Sequence, residues 1–154
     1  MPGLTTRDIR IPELPDLKTR SETRSRVLII EDEPDVAAYL EILLTENGFH
    51  ALSETDALRA IAAADTFQPD VICLDVVMPK KTGLTIYVAI KQHPRLRHVP
   101  VVIVSALHPQ RDFSDINIEK LARERNIPVP DAWLEKPIER AHFLDVIRAA
   151  ASKA

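Results

Sequence analysis

Glycine is scarce in this chain. Of its 154 residues only Gly3, Gly48 and Gly83 are glycine, and no two of them lie near each other in the sequence. Neither a GxGxxG turn nor a glycine-rich phosphate loop of the Walker type can therefore be formed. These two routes to nucleotide binding are excluded.

Disulfides, long apolar runs and an excess of charge are also missing. Cys73 is the sole cysteine, and the first residues lack the basic-then-apolar pattern of a signal peptide, so we expect a cytoplasmic location. The longest apolar stretch, residues 99–107, is interrupted by Pro100 and Ser105 and is too short to span a membrane. With 20 Lys and Arg against 23 Asp and Glu, we expect neither nucleic acid nor a membrane as a partner.

The chain length and composition are typical of one folded domain. Hydrophobic residues make up 45% of the 154 residues, which is enough for a single core. Residues 1–25 combine three prolines with charges of both signs and no sustained apolar period, so we expect a flexible N-terminal arm. Residues 26–151 are the predicted domain, and residues 152–154 are a short C-terminal tail.

Strand and helix patterns alternate along residues 26–151. Apolar runs predict strands at residues 27–30, 50–53, 71–74, 101–104 and 132–134. Helical patterns lie between them, from Pro34 to a C-terminal cap at Gly48, and at about residues 56–65, 83–92, 109–125 and 139–151. This alternation predicts an α/β fold, a parallel five-stranded sheet with helices on both faces.

Polar side chains mark the ends of the predicted strands. Glu31 and Asp32 follow the first strand, Asp75 the third, Ser105 the fourth and Lys136 the fifth. Each has an ordinary explanation as a turn, a cap or a solvated charge. Carboxylates that meet at one sheet edge repel each other, however, unless a cation lies among them. The pattern therefore favours a Mg²⁺ and phosphate site, because Mg²⁺ prefers oxygen ligands.

Four short motifs resemble those of response-regulator receiver domains. They are Ile29-Ile30-Glu31-Asp32, Leu74-Asp75-Val76-Val77-Met78-Pro79 with Gly83 following, Val104-Ser105-Ala106, and Glu135-Lys136-Pro137. The resemblance spans about residues 26–151 and keeps the order of the motifs. It implies a flavodoxin-like doubly wound (βα)5 fold with the strand order 2-1-3-4-5, which brings the acidic residues together.

The resemblance also implies the chemistry of the site. Asp75 is expected to accept a phosphoryl group from a phosphohistidine, so the protein is a phosphoacceptor and not an enzyme with external substrates. Glu31, Asp32, Asp75 and the backbone carbonyl of Val77 are the expected Mg²⁺ ligands. The residues expected to bind phosphoryl oxygens are Lys136, set by a cis bond before Pro137, and Ser105. The implied partners are a sensor histidine kinase or a histidine phosphotransfer protein, and an output protein.

A conformational switch is expected at Ser105 and Trp133, with a changed interaction surface around helix 4, strand 5 and helix 5. Trp133 has a second explanation as a simple core anchor, and both roles are compatible. The segment between Ser105 and Lys136 is longer than usual for the family. An apolar stripe there (Phe113, Ile116, Leu121, Ala122) predicts a fourth helix, and the segment either recognises a partner or is a lengthened loop.

Three alternatives remain open from the sequence. The chain could be a receiver excised from a larger regulator or hybrid kinase. It could be a Mg²⁺-dependent phosphohydrolase with an aspartyl nucleophile, although Asp75 is followed by Val76 and Val77 where that chemistry uses a second Asp. It could bind flavin, although Glu31, Asp32 and Glu33 would repel a metal-free phosphate.

The side chains expected near the phosphoryl group predict a slow loss of that group. Val77 and Leu107 are apolar, so neither can orient a water molecule for attack on an acyl phosphate. Replacing Val77 by Asn should therefore accelerate dephosphorylation, which the decay of the phosphorylated mass after removal of the donor would measure. Equal decay rates for Val77→Asn and the unaltered chain would contradict this prediction.

Overall fold

The computed structural model describes residues 24–76, 82–106 and 118–153. The strands are β1 (Arg26–Ile30), β2 (His50–Glu54), β3 (Val71–Leu74), β4 (Val101–Ser105) and β5 (Ala132–Glu135). The helices are α1 (Pro34–Glu46), α2 (Ala60–Phe67), preceded by a 3-10 turn (Ala57–Arg59), α3 (Thr82–Gln92), α4 (Ile118–Arg125) and α5 (Arg140–Ala151).

The five strands form one parallel sheet with the order β2-β1-β3-β4-β5. In register, Ile30 lies opposite Leu74 between β1 and β3, and Ser105 lies opposite Glu135 between β4 and β5. The predicted α/β class and strand order are confirmed. Because all strands run in the same direction, their carboxyl ends share one edge of the sheet.

The strands β1, β3, β4 and β5 contribute to two hydrophobic clusters, because successive side chains point to opposite faces. On one face, strand residues such as Leu28, Ile72 and Ile103 pack with α2 and α3. On the other face, residues such as Ile29, Cys73 and Val102 pack with α1 and α5. Cys73 is fully buried, as expected of a packing residue. This double coverage explains why the central strands are apolar throughout.

The helix boundaries follow local sequence signals. Pro34 occupies the first turn of α1, and Gly48 after its end has φ +92°, the left-handed conformation that glycine adopts without strain. The predicted helix 56–65 is placed differently. Asp56 caps the 3-10 turn by accepting a 2.9 Å hydrogen bond from the Leu58 N–H, and α2 continues to Phe67 before Gln68 turns left-handed. An Asx cap therefore begins a tighter turn before the α-helix.

Part of the predicted fourth helix lies outside the described residues. Within residues 118–153, α4 covers Ile118–Arg125, with Ala122 buried. Phe113 and Ile116 of the predicted stripe are not among the described residues. The last helix begins at Arg140, because the side chain of Glu139 accepts hydrogen bonds from the N–H groups of residues 141 and 142 as its N-cap. In the described part of the chain, no helix has the length and apolarity needed to cross a bilayer.

Close packing at Gly83 predicts a strong effect of a single methyl group. A Cβ at this position of α3 would lie 2.3 Å from the Cα of Val76 and 2.6 Å from the carbonyl oxygen of Asp75. Replacing Gly83 by Ala should therefore displace this backbone and lower the free energy of unfolding by about 1–3 kcal/mol. Urea unfolding measures the loss.

The matched control is Gly48→Ala. A Cβ there meets nothing within 4 Å, although its positive φ is unfavourable for alanine. Both variants should lose stability, but only Gly83→Ala should also reduce the phosphoryl acceptance that the sequence predicts for Asp75, because its Cβ would displace the Asp75 backbone. Equal acceptance in the two variants would contradict the expectation that this contact positions Asp75.

Candidate functional site

The carboxyl edge of the sheet gathers the polar residues that follow β1 and β3. Glu31 continues β1, and its N–H donates to the Glu54 carbonyl at 3.2 Å. Asp75 continues β3, and its N–H donates to the Ile30 carbonyl at 3.0 Å. The two carboxylates therefore extend from adjacent strands whose backbones are hydrogen-bonded up to the site.

Three carboxylates form a compact acidic cluster. Oxygen atoms of Glu31, Asp32 and Asp75 all lie within 4.8 Å of one another. The Glu31 side chain is 2% exposed and the Asp75 side chain 4%, whereas Asp32 is half-buried. Val77, the fourth expected ligand, lies outside the described residues. The cluster has the oxygen donors and the negative charge that suit a hard divalent cation.

Lys136 provides the positive charge of the site. Its Nζ lies 2.7 Å from Oε1 of Glu31 and 3.5 Å from Oδ2 of Asp75. Its backbone N–H donates to the Ser105 carbonyl at 2.8 Å, and the following peptide bond to Pro137 is cis, as the resemblance implies. The chain after β5 therefore brings the ammonium group to two carboxylates that follow two other strands.

The two expected switch residues lie on the neighbouring strands β4 and β5. Ser105 ends β4 and is completely buried. Trp133 lies opposite Ile103 in the β4–β5 pairing and packs, half-buried, against the hydrophobic cluster that includes α3. Trp133 therefore packs on the hydrophobic core while part of its side chain stays exposed.

The sequence of residues 27–122 matches the family described as "Response regulator receiver domain". The chain belongs to this family. Lys136 and Trp133 lie beyond the matched range, and the structure brings Lys136 to the carboxylates and packs Trp133 against the hydrophobic cluster. The receiver domain is a component of two-component signalling.

Two curated relatives align over most of this receiver domain. Protein Rrf1 of Nitratidesulfovibrio vulgaris is 29% identical over 131 residues, which cover 84% of this chain and 86% of Rrf1. The polar-differentiation response regulator DivK of Brucella anthropi is 27% identical over 123 residues, which cover 80% of this chain and 93% of DivK. Other relatives are longer, and the aligned region spans 19% of response regulator PleD of Caulobacter vibrioides.

A solved structure gives an independent comparison of the fold. The structure of the chemotaxis protein CheY4 of Vibrio cholerae matches with a TM-score of 0.69 at 20% sequence identity, covering 83% of this chain and 99% of CheY4. At this identity the likeness concerns the fold alone. It agrees with the flavodoxin-like architecture that the motif resemblance implies.

Burial and like charge dominate the electrostatics of the site. Burial raises the pKa of Glu31 from 4.5 to about 7, because Lys136 compensates only partly for desolvation and for the nearby Asp75 carboxylate. Burial by itself would lower the pKa of Lys136, but its hydrogen bond to Glu31 and the charges of both carboxylates outweigh this effect and raise it. The site thus holds more negative charge than one lysine neutralises, which favours an added cation.

The sequence predicts the site residues but not the contacts between their side chains. The resemblance implies a phosphoryl oxygen as a partner of Lys136, and in the structure the Lys136 ammonium group contacts Glu31 and Asp75. The excess of acidic over basic residues at the strand ends is the sequence feature that could have indicated these contacts. Lys91 could not be singled out from the sequence, although it is 6% exposed and donates to the Val99 carbonyl at 2.7 Å. Lys91 lies near the end of α3, where a lysine is ordinarily exposed, so the sequence does not indicate that its ammonium group is buried and bonded to a carbonyl.

The raised pKa of Glu31 predicts that metal-free protein becomes less stable as the pH rises. Between pH 4.5 and about 7 the folded state binds more protons than the unfolded state, because Glu31 stays protonated when buried. The contribution of Glu31 to stability is therefore complete below pH 4.5 and is lost as the pH rises through about 7. Urea unfolding with a chelator, from pH 4.5 to 8, measures the decline. The Glu31→Gln variant should show a shallower decline, and equal slopes would contradict the assignment to Glu31.

Proposed function

We propose that Asp75 of the receiver domain accepts a phosphoryl group from a phosphohistidine in a Mg²⁺-dependent reaction. The observation that supports this best is the position of Asp75 within the three-carboxylate cluster, with the Lys136 ammonium group 3.5 Å from its Oδ2. The donor is a sensor histidine kinase or a histidine phosphotransfer protein, which this domain meets in the cytoplasm. The receiver domain is the acceptor and turns over no external substrate.

The transfer exchanges one bond to phosphorus for another. An oxygen of the Asp75 carboxylate attacks the phosphorus atom, a P–O bond forms, and the P–N bond to the donor imidazole breaks. The imidazole takes the electron pair of the broken bond, and a proton on its other ring nitrogen leaves it neutral. Such a transfer requires mainly positioning and charge neutralisation from the protein.

The donor set of the site fits Mg²⁺. Glu31, Asp32 and Asp75 provide carboxylate oxygens within 4.8 Å of one another, and we assign the backbone carbonyl of Val77 as a further ligand. When bound, Mg²⁺ supplies positive charge that offsets the repulsion among the carboxylates and polarises phosphoryl oxygens. The protein holds the acidic side chains on the ends of rigid strands, so they need little rearrangement.

Lys136 and Ser105 complete the proposed phosphoryl site. The Lys136 ammonium group would exchange its contact with Glu31 for a phosphoryl oxygen, forming a charge-assisted hydrogen bond. Ser105 would donate its hydroxyl to another phosphoryl oxygen. Because Ser105 and Trp133 lie on neighbouring paired strands, movement at Ser105 would affect Trp133 and the surface formed by α4, β5 and α5, which we propose binds the output partner.

Intact mass after incubation with acetyl phosphate and Mg²⁺ tests the proposal. We expect one added phosphoryl group on the unaltered chain, and none on Asp75→Asn or in the presence of a chelator. Asp32→Asn should require more Mg²⁺ for the same extent of reaction, because one oxygen donor loses its charge.

The matched control is Asp35→Asn, an exposed carboxylate in the first turn of α1. This variant should be phosphorylated like the unaltered chain. An adduct that persists in Asp75→Asn, or that forms equally well without Mg²⁺, would overturn the proposed reaction.

A further inference from the structure

Tyr87 is a fully buried tyrosine on α3. The chain has two tyrosines, and the other, Tyr39, is 47% exposed on α1. A buried phenol hydroxyl requires a hydrogen-bond partner, because leaving a polar group unpaired in a core is unfavourable. The partner of Tyr87 lies in a segment distant in sequence.

The Tyr87 hydroxyl donates to the carbonyl oxygen of Pro128 at 2.5 Å. Pro128 belongs to residues 126–131, the α4–β5 linker, which has no regular secondary structure. Pro128 and Pro130 have no N–H group, so this linker has few donors of its own for backbone hydrogen bonding. The hydroxyl therefore anchors the linker to α3.

Backbone bonds hold the same linker at both of its ends. At the α4 end, the N–H of Ile127 donates to the Ala122 carbonyl at 2.9 Å. At the β5 end, Asp131 exchanges two hydrogen bonds with Val101: its N–H donates at 2.9 Å, and its Oδ1 accepts at 3.0 Å. The Tyr87 hydroxyl acts between these two ends, close to the middle of the linker.

The linker leads directly to Trp133. Ile127 and Trp133 both pack against the hydrophobic cluster that contains Tyr87. Beside this cluster, a groove of about 450 Å³ lies between α3 and α4, lined by residues such as Leu84, Val88 and Leu121. Because the groove interrupts the packing of the two helices, the hydroxyl bond is a specific link between α3 and the chain that follows α4.

We propose that Tyr87 is a positioning residue that couples phosphorylation of Asp75 to the change at Trp133 and on the α4–β5–α5 surface. The inference rests on the function proposed above. Tyr87 acts through the linker: its hydroxyl fixes Pro128, and Pro128 fixes the path of the chain into β5. Without this bond the linker and Trp133 keep their apolar contacts but lose the fixed link to α3.

The experiment uses Trp133, the single tryptophan of the chain, as its reporter. Acrylamide quenching of its fluorescence is measured with and without acetyl phosphate and Mg²⁺, and intact mass is recorded for the same samples. The variants are Tyr87→Phe, which removes only the hydroxyl, and Tyr39→Phe, which makes the same change at an exposed position. Gly48→Ala is a destabilised control at the α1–β2 turn.

We expect Tyr87→Phe to be phosphorylated to the same extent as the unaltered chain while losing most of the phosphorylation-dependent change in quenching. Tyr39→Phe and Gly48→Ala should retain that change. If Tyr87 has only a structural role, Tyr87→Phe should lose stability, as expected of Gly48→Ala, but retain the phosphorylation-dependent change in quenching. That outcome would overturn the proposal. A missing adduct on the unaltered chain would instead refute the proposed function.

A second measurement does not require replacing Tyr87. Labelling with 3-fluorotyrosine gives two ¹⁹F resonances, and Tyr39→Phe assigns the one that belongs to Tyr87. Phosphorylation should shift the Tyr87 resonance if its hydroxyl senses the linker. An unchanged Tyr87 resonance in phosphorylated protein, as verified by mass, would overturn the coupling even if Tyr87→Phe failed to fold.

Discussion

Burial of opposite charges at the carboxyl edge of the sheet is the constraint on which the site depends. Glu31, Asp75 and Lys136 are largely removed from water, and each would be unfavourable there alone. These three residues follow three different strands, so their contacts form only when β1, β3 and β5 are all in register. The tertiary fold thus sets the chemistry of the site. An added cation or phosphoryl group changes the balance between negative and positive charge in this buried cluster.

Much of this organisation could be predicted from the sequence, because parallel strands buried on both faces leave uninterrupted apolar runs. The strand order came from motif resemblance, and the structure agrees with it. Contacts made by single side chains could not be predicted. The bond from Tyr87 joins α3 to Pro128, 41 positions along the chain, and the bond from Lys91 joins α3 to Val99 in the segment before β4. Both depend on how these segments fold back on α3, which no local pattern encodes. The 3-10 turn before α2 was missed because an Asx cap is compatible with either type of helix.

The site and the hydrophobic cluster around α3 are connected through α3 itself. Gly83 places the first turn of α3 against Asp75, and Tyr87, one helical turn later, bonds to the linker before β5. One helix therefore contacts both the proposed acceptor and the chain that carries Trp133. The contacts of Gly83 and Tyr87 are thus the two points at which α3 meets the site and the linker.

The two prolines of the α4–β5 linker have a further consequence for association between chains. In the described part of the protein β5 is an edge strand, and an exposed edge is a template for pairing with another chain. Pro128 and Pro130 lie shortly before β5, separated from it by Asp131, and have no N–H to donate, which disfavours a regular extension of the strand toward its N-terminal side. The β5 edge of the sheet is therefore short, with the four residues Ala132–Glu135, and short edge strands are one means by which proteins limit edge-to-edge pairing.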